Sequence, residues 1–251
     1  MLTERYFWGL QPHIRCGKGD IAKIVLLPGE LERVERIAAH FDRGSVRKIS
    51  SHREFRTWTG KVNGGEVSVT STGVGCPSAA IAVEELINVG AEVLIRVGST
   101  GAIQEYINLG DVIIVDSAVS NDGTTSEYMP ETYPAVADFK VVEALVKAAE
   151  YLGVRYHVGT VRTNDAFYAG QRVEEIVERY KAANVLSFEM ECSAIFTVAR
   201  LRAKKAGAVL GVVGNLVTGE HSYKGGEEAK NKADSAKENA IRVAVEAVKY
   251  L

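Results

Sequence analysis

A three-layer α/β fold is predicted for this sequence, on three observations. Short apolar runs of strand length alternate with segments of helical periodicity along all 251 residues. Two strand-to-loop junctions, Ser71-Thr72-Gly73-Val74-Gly75 and Gly98-Ser99-Thr100-Gly101, are rich in glycine and small hydroxyl residues, as the ligand-holding strand ends of α/β sheets are. The composition is that of an ordinary globular protein, 46% hydrophobic and 25% charged. No linker, internal repeat or low-complexity tract stands out, so residues 1–251 are read as one domain with a sizeable core.

In chain order, AKIVLLPGE (residues 22–30) predicts a buried strand ending at Pro28-Gly29. LERVERIAAHF follows at helical spacing, with Leu31, Val34, Ile37, Ala38 and Phe41 on one face. The alternating runs around Asn63-Gly64-Gly65 predict a hairpin. AAIAVEELINVG reads as a helix stopped by Gly90. EVLIRVGSTGA (residues 92–102) and GDVIIVDSAV are strands. Residues 121–138 are polar and turn-rich, which predicts a long loop of the kind that often carries function. Asp138 is placed to cap the helix FKVVEALVKAAEYLG. YHVGTVRT is a strand, VEEIVERYKAA and EMECSAIFTVARLRA are helices, and AGAVLGVVGN is a strand. Residues 226–251 form a long helix with Ala229, Ala233, Ala236, Ala240, Val243 and Ala247 on one stripe.

Several function classes are disfavoured by composition. A net charge of −2 supplies no field to attract nucleic acid or an anionic membrane, so any anion site must be local. Cys16, Cys76 and Cys192 are odd in number, widely spaced and without a C-x-x-C pair, which argues against a disulfide scaffold or structural zinc. A reducing cytoplasmic compartment is expected. The first twenty residues have no apolar h-region, and no run approaches a membrane span, so neither a secretory signal nor a transmembrane helix is expected.

Neither glycine junction is G-x-x-x-x-G-K-[ST] or a clean G-x-G-x-x-G, so nucleoside triphosphate and dinucleotide sites are poorly supported. Glycine still lets backbone N–H groups approach an anion, and hydroxyls add donors. Arg96 stands in an otherwise apolar strand, two residues before Gly98. A buried, unpaired guanidinium costs several kcal/mol, roughly, so Arg96 needs a carboxylate, a bound anion or a route to water. Its position beside the glycine turn favours phosphate, which suits the guanidinium fork. Arg33 lies one turn into the helix after Gly29, where a helix N-terminus already favours anions, but it also reads as a solvated surface residue. Arg53 precedes a strand and reads as either a ligand or a rim charge.

STGVGCPSAAIAVEEL, residues 71–86, fits the signature of the nucleoside phosphorylase-I family at each constrained position. GELERV, SHREF, IRVGSTGAI, YPAVADF, DAFYAGQ and FEMEC recur in family order, and the resemblance runs from about Gly9 to the final helix. SHREF, AVADF and FYAGQ look most like the uridine-cleaving members, whereas QPHI, residues 11–14, looks more like the purine and methylthioadenosine members. The resemblance implies a mixed, partly barrel-like sheet and a homohexamer built as a trimer of dimers. It also implies phosphorolysis of a nucleoside to free base and ribose 1-phosphate.

By the same resemblance, Gly29, Arg33, Arg96 and Ser99 would bind phosphate within one subunit, assisted by Thr100, and Arg53 would reach across a dimer interface. Met190 would pack on the ribose and Glu191 would accept its hydroxyls, with Glu189 beside them. A carboxylate there stabilises the oxocarbenium character of the transition state more than the ground state. From the residues alone, Glu189 and Glu191 also read as a charge pair at a helix N-terminus. His13 would contact the 5′-hydroxyl from a neighbouring subunit in the purine-type pattern, and Phe7 takes the equivalent place in the uridine-type pattern. Phe167 would stack on the base and Gln171 would read its polar edge.

The base pocket departs from the uridine-type pattern. Val173 stands where an arginine is expected, Arg172 lies one place early, and Leu216 replaces a second arginine. Asn215, which with Arg172 would face the base, stands where purine-type members carry an aspartic acid, and an amide cannot serve as that acid. Cleavage of uridine is therefore the expected activity, with a purine or methylthioadenosine phosphorylase as the alternative. Arg33, Arg53 and Arg96 together argue against a nucleoside hydrolase, and with Glu191 they argue against a non-enzymatic binding protein. No organic cofactor or divalent metal is expected, and inorganic phosphate is the co-substrate. Glu54, Val74 and Ser78 match family positions for a monovalent cation such as K⁺, or else are structural hydrogen-bonding residues.

Overall fold

The computed structural model describes residues 9–168 and 172–251. Its elements run β1 (Ile24–Leu27), α1 (Leu31–Ala38), β2 (Arg47–His52), β3 (Phe55–Val62), β4 (Gly65–Thr70), α2 (Cys76–Asn88), β5 (Val93–Ala102) and β6 (Val112–Asn121). They continue with α3 (Gly123–Tyr128), β7 (Ala135–Val136), α4 (Phe139–Tyr151), β8 (Tyr156–Asn164), α5 (Val173–Ala182), β9 (Ser187–Glu189), α6 (Cys192–Leu201), β10 (Lys205–Asn215) and α7 (Gly226–Ala247).

All ten strands join one sheet in the order β10-β6-β8-β9-β5-β1-β4-β3-β2, with β7 on β6. A further pairing of β10 with β5 closes β5, β9, β8, β6 and β10 into a ring, leaving the other strands as an open wing. The ladders are mixed: β5 is parallel to β1 and β10 but antiparallel to β9. The expected mixed, partly barrel-like sheet is present.

Two apolar clusters flank the sheet. Helices α2 and α6 bury Ala82, Val83, Leu86, Ile195 and Phe196 on one side. Helices α1, α4 and α7 bury Ile37, Val141, Leu145, Ala240 and Ile241 on the other. The alanine stripe of α7 lets its backbone approach closely; a Cβ on Gly211 of β10 would lie 2.6 Å from the Ala236 backbone. The Asn63-Gly64 turn has both residues at positive φ, +48° and +82°, as a two-residue hairpin turn requires. Asp138 caps α4, its side chain accepting the Lys140 N–H at 2.9 Å.

Two expectations need correction, and one strand was not expected. Residues 121–138 are not one loop. Asp122 caps α3 by accepting Thr125 N–H at 2.7 Å, and Ala135–Val136 pairs with β6. The stretch beginning at Glu189 is not helical at its start: Ser187–Glu189 is strand β9, paired with both β8 and β5, and α6 begins at Cys192. Strand β2 is formed by RKISSH, whose polar, largely solvent-facing residues carry no apolar alternation.

Candidate active site

The loops after β1 and β4 meet beside β5, to which β1 is parallel. The Gly98-Ser99-Thr100-Gly101 stretch, expected as a strand-to-loop junction, lies within β5 and pairs with β10. Gly29 follows β1, and a Cβ there would lie 3.3 Å from the Gly73 carbonyl. Thr72 N–H donates to the Pro28 carbonyl at 2.8 Å, fastening the first loop to the second.

Arg96 sits in the middle of the sheet, in register with Leu27 of β1 and Ala208 of β10, and is only 4% exposed. A central strand offers no route to water, so the guanidinium is paired. Its Nε donates to Glu189 Oε2 at 3.1 Å, and its Nη2 lies against Glu191 Oε2. Burial opposes the Arg96 charge, but Glu191 and Glu189 more than offset it and hold the guanidinium above its ordinary range. Gly98 makes room for this pair: a Cβ there would lie 2.9 Å from Arg96 Cζ and Nη2. What Arg96 meets inside the protein is therefore two carboxylates.

Arg33 is buried as well, contrary to its reading as a surface residue. Its Nη1 donates to the Val97 carbonyl at 2.9 Å and its Nη2 to Glu30 at 2.6 Å, while its Nε is buried without a partner among the described residues. Burial pushes its pKa below the ordinary range; Glu30 offsets part of this, and the like charge of Arg96 adds to it. Two buried guanidiniums that repel each other, one with a free N–H, suit a shared anion.

The carboxylates differ in role. Glu189 accepts Glu191 N–H at 2.9 Å, Cys192 N–H at 3.0 Å and the Thr163 hydroxyl, so it caps α6 while pairing with Arg96. Glu191 accepts Gly75 N–H at 2.6 Å through Oε1 and Arg96 through Oε2. Gly75 has φ +92°, which glycine adopts without strain. Burial raises the Glu191 pKa; Arg96 pulls it down and Glu189 pushes it up. Met190, partly buried between them, accepts the Cys76 thiol through its carbonyl at 3.2 Å. The supporting residues Thr163, Gly75 and Glu30 were not singled out for these roles in the sequence; only Gly75 carried a signal, as part of a glycine-rich loop.

Ser99 is partly buried near the end of β5. Thr100 does not offer its hydroxyl proton to a ligand, because it donates to the Phe188 carbonyl at 2.7 Å. Arg53 is exposed at φ +55° in the turn between β2 and β3, with no hydrogen bond or ion pair among the described residues. Phe167 is 65% exposed and its ring meets Tyr168 edge-on at 4.9 Å. Arg172 is exposed and only 4.0 Å from Glu175. Phe7 and Gln171 lie outside the described residues.

Asn215 does not read a base. Its Nδ2 donates to the Gln104 and Ile107 carbonyls at 2.9 and 2.8 Å, and its Oδ1 accepts Val217 N–H at 2.9 Å and Thr218 N–H at 3.2 Å. Every hydrogen-bonding position of the amide is thus occupied within the protein. His13 is held at the edge of the molecule by Glu85, Nδ1 to Oε1 at 2.6 Å. Ser78 Oγ donates its one proton to the Thr72 carbonyl at 2.5 Å and lies 3.2 Å from Glu54 Oε1, and Val74 nearby in sequence is 73% exposed. A separate cleft of about 640 Å³ lies beyond β6, lined by Asn121, Asp122, Tyr133 and Tyr180 among others. None of the buried arginines or Glu191 lines it.

Comparison with known proteins accounts for this arrangement. The family model described as the phosphorylase superfamily matches residues 23–249. A uridine phosphorylase of Thermococcus kodakarensis is 47% identical over 91% of this chain and 86% of its own length. A guanosine phosphorylase of Halorubrum lacusprofundi is 38% identical over 96% of this chain and 99% of its own. A crystal structure of uridine phosphorylase from Vibrio fischeri superposes with a TM-score of 0.90 at 32% identity, covering 98% of this chain and all of the other. With the ring-closed mixed sheet and the buried arginine–glutamate centre in the same chain, these matches show that it belongs to the phosphorylase superfamily.

Proposed function

We propose that the chain is a uridine phosphorylase, a pentosyltransferase that converts uridine and inorganic phosphate to uracil and ribose 1-phosphate. The observation that carries this reading is the buried pairing of Arg96 with Glu191, beside Arg33 and its unpartnered Nε. A guanidinium suited to an anion and a carboxylate suited to sugar hydroxyls are in direct contact there, which supports the reading. Phosphate bound by Arg33, Arg96, Ser99 and the N–H of Gly29 presents an oxygen to C1′. The new C1′–O bond forms as the C1′–N1 bond breaks, the bonding pair leaves with N1, and uracil takes up a proton. Glu191 holds the ribose hydroxyls, and its negative charge is stronger support for the positive sugar of the transition state than for the neutral substrate.

Uridine phosphorylases 37% to 47% identical to this chain support the choice of uridine. Val173 and Leu216 leave the base pocket without two arginines of the uridine-type pattern, and the guanosine-cleaving relative supports a purine as the second reading. A phosphate-dependent release assay across uridine, thymidine, inosine, guanosine and adenosine decides. Uracil release is expected; hypoxanthine or guanine release alone would reverse the assignment, and release without phosphate would make the chain a hydrolase.

The same reading includes a cytoplasmic homohexamer in which Arg53 and His13 serve a neighbouring subunit. Among the described residues no helix is long and apolar enough to cross a membrane. Glu54 and Ser78 supply oxygen donors with Val74, a set that suits a hard monovalent cation at a dimer interface. That ion would fix the interface; the residues above carry the chemistry.

A further inference from the structure

We infer that Glu85 is a positioning residue that sets which ring nitrogen of His13 faces a substrate, and so governs discrimination for a sugar hydroxyl. The inference rests on the proposed reading, in which His13 meets the 5′-hydroxyl.

Glu85 belongs to α2 and is only 6% exposed, yet among the described residues no Lys or Arg side chain pairs with it. Its carboxylate instead gathers one short stretch of chain. Oε2 accepts His13 N–H at 3.0 Å and Ile14 N–H at 2.9 Å, and Oε1 lies 2.6 Å from His13 Nδ1. An oxygen that serves as acceptor at this distance requires a proton on Nδ1. A neutral His13 therefore carries its proton on Nδ1 and a lone pair on Nε2, which makes no hydrogen bond to the described residues. His52 fixes the same turn from the other side, its Nδ1 lying 3.1 Å from the His13 carbonyl, and Phe55 packs edge-on against the His13 ring at 6.0 Å. The backbone and one ring nitrogen are thus held by a single buried group, leaving Nε2 to accept from a hydroxyl on a neighbouring copy's substrate. Glu85 lies 72 positions from His13, in the family signature stretch, and reaches the sugar only through His13.

The test compares uridine with 5′-deoxyuridine, which lacks the hydroxyl. His13→Ala and Glu85→Gln are each expected to lower kcat/KM for uridine about fivefold, the effect of one neutral hydrogen bond. Both should leave 5′-deoxyuridine within twofold, and the double variant should lose no more than either single one. Nitrogen-15 spectra of labelled histidine, with the His13 signals assigned by their loss in His13→Ala, should show protonated Nδ1 in the wild type and a changed tautomer balance in Glu85→Gln. Equal losses on both substrates, or additive losses in the double variant, would overturn the inference. So would a wild-type spectrum with the proton on Nε2. Should Glu85→Gln fold poorly, Glu85→Asp, one carbon shorter, gives the same comparison. A wild type that releases no uracil would sink the uridine reading, while the tautomer spectrum would still decide whether Glu85 sets the ring.

Discussion

Arg96 and Glu191 form an ion pair in which each side chain is only 5% exposed. The pair joins the phosphate candidate to the ribose candidate directly. A buried pair of this kind contributes little net stability, because desolvation cancels most of the attraction, but breaking it strands a charge. Arg96→Ala would strand Glu191 and Glu189 together. We expect it to cost about 3–5 kcal/mol of folding stability as well as all phosphate-dependent turnover. Denaturant unfolding checks the first part and a uracil-release assay the second. A variant as stable as the parent would mean that the two carboxylates are not held by this arginine.

Arg33 gives a cleaner view of phosphate binding. Its burial already works against its charge, so Arg33→Met should change the melting temperature little in phosphate-free buffer. The parent should gain about 2.7 kcal/mol at a phosphate concentration one hundred times Kd, whereas Arg33→Met should gain almost nothing. A parent that fails to respond to phosphate would argue that the cradle binds something else.

Acidification should move activity and stability in opposite directions through Glu191. Catalysis needs its carboxylate, and burial raises its pKa. The acid limb of kcat/KM should therefore lie above the ordinary glutamate range, which centres near about 4.3. For stability the sign reverses: a group with a raised pKa in the folded state binds protons more tightly there than in the unfolded chain. Its contribution is fully present below the unfolded value and is lost as pH rises through the folded one. Glu191→Gln should remove that contribution and flatten stability across this window, while lowering kcat more than it weakens nucleoside binding. An unchanged stability profile in Glu191→Gln would place the titration on another residue.

Much of this centre was legible in the sequence because its residues violate local patterns. Arg96 interrupts an apolar strand, and the requirement for a partner follows from desolvation alone. Which partner it meets was not legible, since Glu189 and Glu191 lie far along the chain and only the β5–β9 and β8–β9 pairings bring them to it. The same pairings turn Glu189 from the first residue of a helix into the last of a strand. Strand β2 escaped notice because an exposed strand needs little apolar alternation. Asn215 was misjudged for a related reason: residue type and family position suggested a base contact, but the amide's direction depends on the Gln104 and Ile107 carbonyls, which no sequence pattern reveals.

Asn215 supplies the last prediction. An aspartate at this position is the purine-type residue, which by residue type alone makes Asn215→Asp a route to adenosine cleavage. The structure argues otherwise. Nδ2 donates to two buried carbonyls, and a carboxylate oxygen cannot donate to either. The substitution would face both carbonyls with an acceptor, and each unsatisfied group costs about 1–3 kcal/mol. Asn215→Asp should therefore lose on the order of 3 kcal/mol in denaturant unfolding and gain no adenine release. Full stability together with new adenosine phosphorolysis would show that the amide is free to turn toward the base, and that the loop from Asn215 to Thr218 does not depend on it.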